Sequence, residues 1–211
     1  MIAARQIAFG RGGKRKPYDA EIEYLESTGT QWIDIGYYTM PNSVFYCGTT
    51  PIKRQGNGMC FWGSCKGDGT LGIGDSVQLC EKYASQGVFH FIDTYNSSNS
   101  IAFDYGSYYD IECCVSKCSI KANGVESFGK TNFILKQKAE FPVFMYARNL
   151  SGSANRCSIA RFHYWKVYED LELVLDLIPV RVGSVGYMYD RVSGRLFGNE
   201  GTGDFVLGPD I

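Results

Sequence analysis

The sequence predicts an all-β fold, a two-sheet antiparallel β-sandwich. Three observations carry that expectation. Glycine stands at 25 residues and aromatic residues at 15%, led by tyrosine, against only 6 prolines. Many short strands joined by tight turns require that composition. Runs rich in β-branched and aromatic residues recur at short spacing, with no amphipathic helical stripe and no βαβ rhythm. Asn123-Gly124 sits between two such runs. Both central positions of a two-residue hairpin turn want positive φ, which Asn and Gly supply.

The elements follow in order. Residues 21–26 read as a strand, Ser27-Thr28-Gly29-Thr30 as a turn, and 31–38 as the returning strand. In that return Ile33, Ile35 and Tyr37 alternate with Trp32, Asp34 and Gly36. Residues 43–52, 59–65, 88–95, 108–115, 117–122 and 125–128 continue the pattern. The strongest runs are 141–148, 157–168 and 171–182, with Glu169-Asp170 turning between the last two. A hairpin spans 187–197 around Ser193-Gly194, and one last short strand lies in the glycine-punctuated end. Short helical turns are expected near 80–85 and 133–138.

A chain of 211 residues suits one core, and 45% hydrophobic with 20% charged residues is globular composition. Residues 18–211 form the predicted sandwich. Residues 1–17 differ: Arg5, Arg11, Lys14, Arg15 and Lys16 occur with no acid before Asp19, among pliable glycines. This reads as a basic flexible or docking arm that orders on a partner such as an acidic protein surface. A net charge of −1 argues against a nucleic-acid-binding domain. No apolar run approaches the ~20 residues of a membrane span. The first residues hold no signal-peptide core, so synthesis without Sec export is expected.

Eight cysteines occupy positions 47, 60, 65, 80, 113, 114, 118 and 157. None forms a C-x2-C unit, and His90 and His163 sit in strand-like runs away from them. They read as small buried apolar residues on strands, with a disulfide or a metal as the alternative.

Four segments carry a family resemblance: YLESTGTQWIDIG, VFMYARN, SIARFHYWKVYEDLELVLDLIPVRV and GYMYDRVSGRLFGNEGTGDFVLGP. Together they resemble a laminin-G/concanavalin A-like lectin domain. The likeness is to the subgroup common in surface proteins of gut bacteria and structural proteins of their phages. It runs from Tyr18 to Pro209; between residues 53 and 140 it rests on strand rhythm and the SIKANGVE hairpin. The resemblance implies a concanavalin A-like jelly roll, with TGTQWIDIG and the GTGDF tail stitching its ends. It also implies glycan binding or protein adhesion. Function drawn from fold is associational.

Jelly-roll glucanases of that fold carry catalytic carboxylates as E-x-D-x-x-E or E-x-D-x-E on one strand. The acid clusters here are Asp19, Glu21, Glu23 and Glu26; Asp110 and Glu112; and Glu169, Asp170 and Glu172. None makes the pattern, so the chain is read as non-enzymatic. Calcium is compatible with the loop acids Asp68, Asp75, Asp104 and Asp190, but these are not clustered and no ligand set is assigned.

A glycan site wants an aromatic platform with polar groups beside it. Three loops offer that mixture: FWGSCKGDGT with Trp62, Lys66 and Asp68; FDYGSYYD with Tyr105, Tyr108 and Tyr109; and YARNLSGSANR with Arg148, Asn149, Asn155 and Arg156. The expected protein is an adhesion module on a phage virion, assembled in the host cytoplasm, with a bacterial cell surface as the alternative. Its expected partners are a bacterial surface glycan, assembly proteins held through the arm, and a second copy of itself. A purely structural capsid or tail decoration protein is the competing reading, and a glycan-cleaving enzyme the third.

Overall fold

The computed structural model describes residues 16–56, 58–66, 76–81, 87–91, 100–129 and 135–211. Among the described residues nineteen strands, numbered β1 to β19 in chain order, form two sheets, and no helix occurs.

The larger sheet runs β11 (Val125–Phe128), β10 (Ser119–Ala122), β9 (Tyr109–Cys114), β4 (Ser43–Lys53), β15 (Ile159–Glu169), β16 (Glu172–Val182), β17 (Val185–Asp190) and β18 (Leu196–Phe197). Three short strands extend it. β1 (Ala20–Glu21) pairs with β16, β2 (Leu25–Glu26) with β15, and β19 (Val206–Leu207) with β2. The smaller sheet runs β14 (Ser153–Asn155), β13 (Arg148–Leu150), β5 (Cys60–Cys65), β6 (Ser76–Glu81), β7 (Val88–Phe91) and β8 (Ser100–Ala102). β12 (Phe144–Met145) joins β5 to β3 (Ile33–Asp34). β13 lies parallel to β5; every other pairing among the described strands is antiparallel. The all-β sandwich expected from the sequence is the fold.

Its core is a contact between aromatic rings from both sheets. Phe45 of β4 lies 4.5 Å from Trp62 of β5 and 5.4 Å from Trp165 of β15, centroid to centroid; Trp62 and Trp165 are 5.9 Å apart. All three side chains are solvent-inaccessible. The buried Trp62 indole N–H lies beside the Cys47 thiol and makes no hydrogen bond of ordinary geometry among the described residues. Burial pushes that thiol up to about 12.

Strand alternation then decides which side chains face out. On β4, Phe45 and Cys47 point inward, so Val44 and Tyr46 face outward. On β15, Phe162, Trp165 and Val167 are buried, and the irregular register between Phe162 and Tyr164 accounts for the broken alternation. Tyr164, Lys166 and Tyr168 therefore share the outer face.

The first and last segments of the sandwich are stitched as the resemblance implied. The Gln31 side-chain amide donates to the carbonyls of Thr202 (3.0 Å) and Asp204 (3.1 Å). Its Oε1 accepts from the Thr28 N–H (2.8 Å) and the Ser27 hydroxyl (3.2 Å). Backbone bonds from Glu200 N–H to Trp32 O and Thr202 N–H to Thr30 O close the seam. A Cβ at Gly201 would run into the Thr30 carbonyl, so only glycine fits there.

Several details depart from expectation: the predicted strand 21–26 divides into β1 and β2, and of the predicted strand 31–38 only Ile33–Asp34 is strand. The predicted strand 141–148 breaks at Tyr146, whose φ is 63°. The bend is held because the Tyr146 N–H donates to Phe61 O and its hydroxyl to Leu25 O at 2.6 Å. The turn after β15 is Asp170-Leu171, one residue later than predicted, because Glu169 pairs with Glu172. The helical turn expected near 80–85 gives way to strand at Cys80 and Glu81, where pairing to β5 and β7 satisfies the backbone. Residues 82–85 lie outside the described residues, as do 133 and 134 of the second expected turn; 135–138 are irregular.

Of the basic arm, Arg5, Arg11, Lys14 and Arg15 lie outside the described residues, while Lys16 forms an exposed ion pair with Glu21 at 2.7 Å. No helix among the described residues is long and apolar enough to cross a membrane.

Truncating Trp62 to alanine removes the centre of the inter-sheet contact. A loss of about 3–5 kcal/mol is expected for such a buried ring, measured by urea denaturation. A loss below ~1 kcal/mol would mean the sheets are held elsewhere.

Candidate functional site

A groove of about 770 Å³ crosses the outer face of the larger sheet. Val44 and Tyr46 of β4 and Tyr164, Lys166 and Tyr168 of β15 form its floor. Asn42, Ser116, Asp170, Leu171 and Arg191 form its rim. Register explains the grouping: β4 and β15 are adjacent, with Tyr46 opposite Lys166 and Val44 opposite Tyr168. Tyr46 and Tyr168 meet edge to face at 5.5 Å.

The polar groups are anchored. Tyr164 donates to Asp110 Oδ1 at 2.8 Å, and Tyr108 donates to the same oxygen at 2.7 Å. Burial and the Asp110 carboxylate push both phenols above their ordinary value, so both stay protonated donors. Burial, with help from Glu112, raises Tyr46 in the same way.

Lys166 and Arg191 converge on one buried carboxylate, Asp176. Arg191 reaches Asp176 Oδ2 at 2.8–2.9 Å through two nitrogens, and the Lys166 ammonium stands 3.7 Å from Oδ1. These two cations lie over one carboxylate, with Asp170 on the rim as a second acid.

Two turns set the rim. Asp190 ends β17 and is solvent-inaccessible. Its carboxylate accepts from the N–H groups of Asp176 (2.9 Å), Val192 (3.1 Å) and Ser193 (3.0 Å), and from the Ser193 hydroxyl at 2.5 Å. Arg191 begins this turn, and its own N–H donates to Asp176 O. Burial alone would raise the Asp190 carboxyl; the donors, led by Ser193, outweigh it and hold it below the usual range. The second turn is Asp170-Leu171, with φ of 47° and 72°. Two positive φ values make a two-residue hairpin of the kind that favours Asn-Gly. Here the second residue is a leucine, 94% exposed at the rim. A leucine held in left-handed backbone and offered to solvent is a local cost of about 1 kcal/mol with no gain in the fold.

The structure does not bring the sequence-predicted residues together. Trp62 is 0% exposed, so the expected aromatic platform is a core side chain. Lys66 pairs with Glu140 at 2.6 Å in solvent, and Asp68 lies outside the described residues. Arg148 is buried and donates to Asn155 Oδ1 at 2.9 Å across the β13–β14 hairpin. Asn149 is buried too, donating to Pro142 O and accepting from Gly152 N–H. Asn155 and Arg156 line a separate notch with Gly29, Gln55, Gly58 and Cys157.

Tyr105 packs on the core and donates to the buried Glu81, and burial pushes its phenol up to about 12. Tyr109 lies edge-on to Phe89 and accepts from Asp104 N–H. Tyr108 alone of the three is exposed, and through Asp110 it borders the groove. Of the acids weighed for calcium, Asp68 and Asp75 lie outside the described residues, and Asp190 is occupied by backbone donors. Among the described residues no group of three or more His, Cys, Asp or Glu is placed to hold a metal ion.

The candidate residues of the sequence come from loop segments, whereas the groove is a sheet face. Its signal was in the alternation of Tyr164, Lys166 and Tyr168 with the buried Trp165 and Val167.

No family model matches the chain, and no curated protein matches it. Among solved structures, the crystal structure of a native heptameric SAP-like pentraxin from Limulus polyphemus aligns over 94% of this chain and 92% of its own, at 11% identity and a TM-score of 0.43. A likeness at that level assigns no ligand and no assembly state.

Two outcomes are expected. Asp190 has its folded value below its unfolded one, so its contribution to stability is complete above the unfolded value near pH ~4 and is lost as pH falls through the folded value. Thermal melting between about pH 5 and pH 3 should show a shallower decline for Asp190→Asn than for the native chain; parallel declines would remove Asp190 as a contributor. Leu171→Gly should raise stability by about 1 kcal/mol by relieving the turn. An unchanged or lowered stability would show that the leucine is not strained.

Proposed function

We propose that this chain is a non-enzymatic carbohydrate-binding module that holds a glycan in the groove over β4 and β15. The observation that carries the reading is the clustering of three partly exposed tyrosines, Tyr46, Tyr164 and Tyr168, with Lys166, Asn42, Asp170 and Arg191 around them. Sugar rings present apolar C–H faces and a rim of hydroxyls. Tyrosine faces match the former, and the mixed donors and acceptors match the latter. The groove is open along the sheet, which suits a section of a chain polymer better than a small metabolite needing enclosure.

The finer setting rests on the resemblance of the opening and closing segments. We place the module on a phage virion, contacting bacterial surface glycans, with Arg5, Arg11, Lys14, Arg15 and Lys16 as the attachment arm. The same resemblance is compatible with a bacterial cell surface. The exposed Leu171 favours one second reading, in which the groove docks a protein neighbour and the chain is a structural decoration.

The test is binding of the full chain to a panel of bacterial surface polysaccharides by calorimetry. Saturable binding is expected. Tyr168→Ala and Tyr46→Ala should each weaken it about tenfold or more, equivalent to about 1.4 kcal/mol, with the fold retained by thermal melting. Asn155→Ala, in the separate notch, should leave it unchanged. Binding that survives both tyrosine changes would move the site off this groove. No binding across the panel, with stable self-association instead, would favour the structural reading.

A further inference from the structure

We propose that Cys60 and Cys80 are a thiol–disulfide pair that locks β5 to β6 under oxidising conditions. The two residues are direct register partners across these strands. Among the described strand pairings, no other two cysteines are. The neighbouring backbone bond runs from Glu81 N–H to Met59 O at 2.8 Å. It therefore flanks the pair instead of joining it, and Cys60 and Cys80 form a non-hydrogen-bonded site. There the Cα atoms of an antiparallel pair stand about 4.5 Å apart and the side chains are closest, which falls within the Cα range a disulfide spans.

The thiols also point to one place. Cys80 Sγ lies 3.3 Å from Gln78 Oε1, and Cys60 Sγ lies 3.7 Å from the same oxygen, with the Trp62 and Leu79 carbonyls nearer at 3.3 and 3.5 Å. β5 and β6 are pressed together there: a Cβ at Gly63, whose φ is 151°, would collide with Gln78. His90 is the register partner of Cys80 on β7, with Nδ1 3.2 Å from Ser100 Oγ. An imidazole is thus carried on the strand next to the thiol.

The chemistry needs a disulfide co-reactant, taken here as glutathione disulfide. One cysteine thiol loses its proton, and the thiolate attacks the glutathione S–S bond, releasing one glutathione thiol and leaving a mixed disulfide. The second cysteine thiolate then displaces the remaining glutathione. The Cys60–Cys80 bond forms, the glutathione bond breaks, and the two electrons lost by the protein reside on two glutathione thiols. Both sulfurs are buried, so exchange on the folded chain must wait for β6 to open from β5. Bond formation is therefore fast during folding and slow afterwards.

Cys157 is the competing partner. It is the cysteine that is only partly buried, and the carbonyl of its neighbour Arg156 accepts the Cys60 N–H at 2.7 Å. It lies on no strand opposite Cys60, so the register favours Cys80.

The experiment refolds the full chain in a mixture of reduced and oxidised glutathione, blocks remaining thiols, and maps the peptides without reduction. The expected result is a peptide linking Cys60 to Cys80, the loss of two hydrogens from the intact mass, and a thermal midpoint raised by roughly 5–10 °C relative to the reduced chain. Cys157→Ser should give the same link and the same rise. Recovery of Cys60 and Cys80 as blocked thiols, or of a Cys60–Cys157 link, would overturn the proposal. Because the principal reading is on the native sequence, it does not depend on whether Cys80→Ser folds. Where that variant does fold, the rise in midpoint should vanish, and a persisting rise would also count against the pair.

Discussion

The contact of Phe45, Trp62 and Trp165 is the constraint from which the rest of the molecule follows. Each ring comes from a different strand, and Trp62 from the opposite sheet. A β-strand has a side-chain period of two, so fixing one inward residue fixes the facing of its neighbours. Phe45 inward puts Tyr46 outward; Trp165 inward puts Tyr164 and Lys166 outward. The surface chemistry of the larger sheet is thus set by what its core must bury. A slip of one residue in either strand would bury tyrosines and a lysine and expose the aromatic core, an error costing many kcal/mol. The groove is therefore as rigidly placed as the core itself, which is what a preorganised binding surface requires.

Rigid strands supply the floor; turns supply the rim, by two different physical devices. At Asp190 a buried carboxylate collects four donors and leaves Arg191 with one orientation, over Asp176. At Leu171 the backbone is forced into a region that leucine disfavours, and an apolar side chain stands in water. The first device lowers the energy of the fold while aiming a cation. The second raises it. Local inconsistencies of the second kind concentrate at sites under selection for something other than stability. Here the inconsistency sits on the edge of the groove that the alternation independently defines. Tyrosine is also suited to the floor on entropic grounds, since it has few rotatable bonds to freeze on binding.

How much of this was legible in the sequence depends on range. Asn123-Gly124, the long β15–β16 hairpin and the all-β class were visible because turn chemistry and strand alternation are local. The stitching of the ends was visible through a resemblance of words. The structure gives it a mechanism in Gln31, whose amide satisfies two carbonyls some 170 positions away. The site was not visible where it was sought. Trp62 looks like a platform because it precedes a glycine-rich loop, yet its strand is buried over its whole length. Arg148 and Asn155 look like ligand groups because they flank a loop, yet Arg148 is buried and spends its hydrogen bond on Asn155 across the hairpin. The groove draws alternate residues from the segments 42–46 and 164–170, with Leu171, Ser116 and Arg191. Only the pairing of β4 with β15 and with β9, and the course of β16 and β17, bring those segments together, and long-range pairing is what a single sequence conceals. The break at Tyr146 was hidden for the same reason: its positive φ is held by Phe61 and Leu25, neither a chain neighbour.

The two sheets have opposite uses for their outer faces. On the larger sheet the outward tyrosines are partly exposed and reach solvent. On the smaller sheet, Gln78 and Cys80, which alternate with the inward Val77 and Leu79, are buried, as are Cys60 and His90. Register joins Cys60, Cys80, His90 and Ser100 into one row across four strands. A buried polar row cannot meet a polymer in solution, so it is no rival to the groove. Its residues must satisfy one another, and the Gln78 carbonyl oxygen and the His90–Ser100 contact do so. Such satisfied rows specify strand register more sharply than apolar packing does, because a one-step slip would orphan every member. The smaller sheet is thus built to hold its own alignment, and through Trp62 it passes that alignment to the sheet that carries the groove.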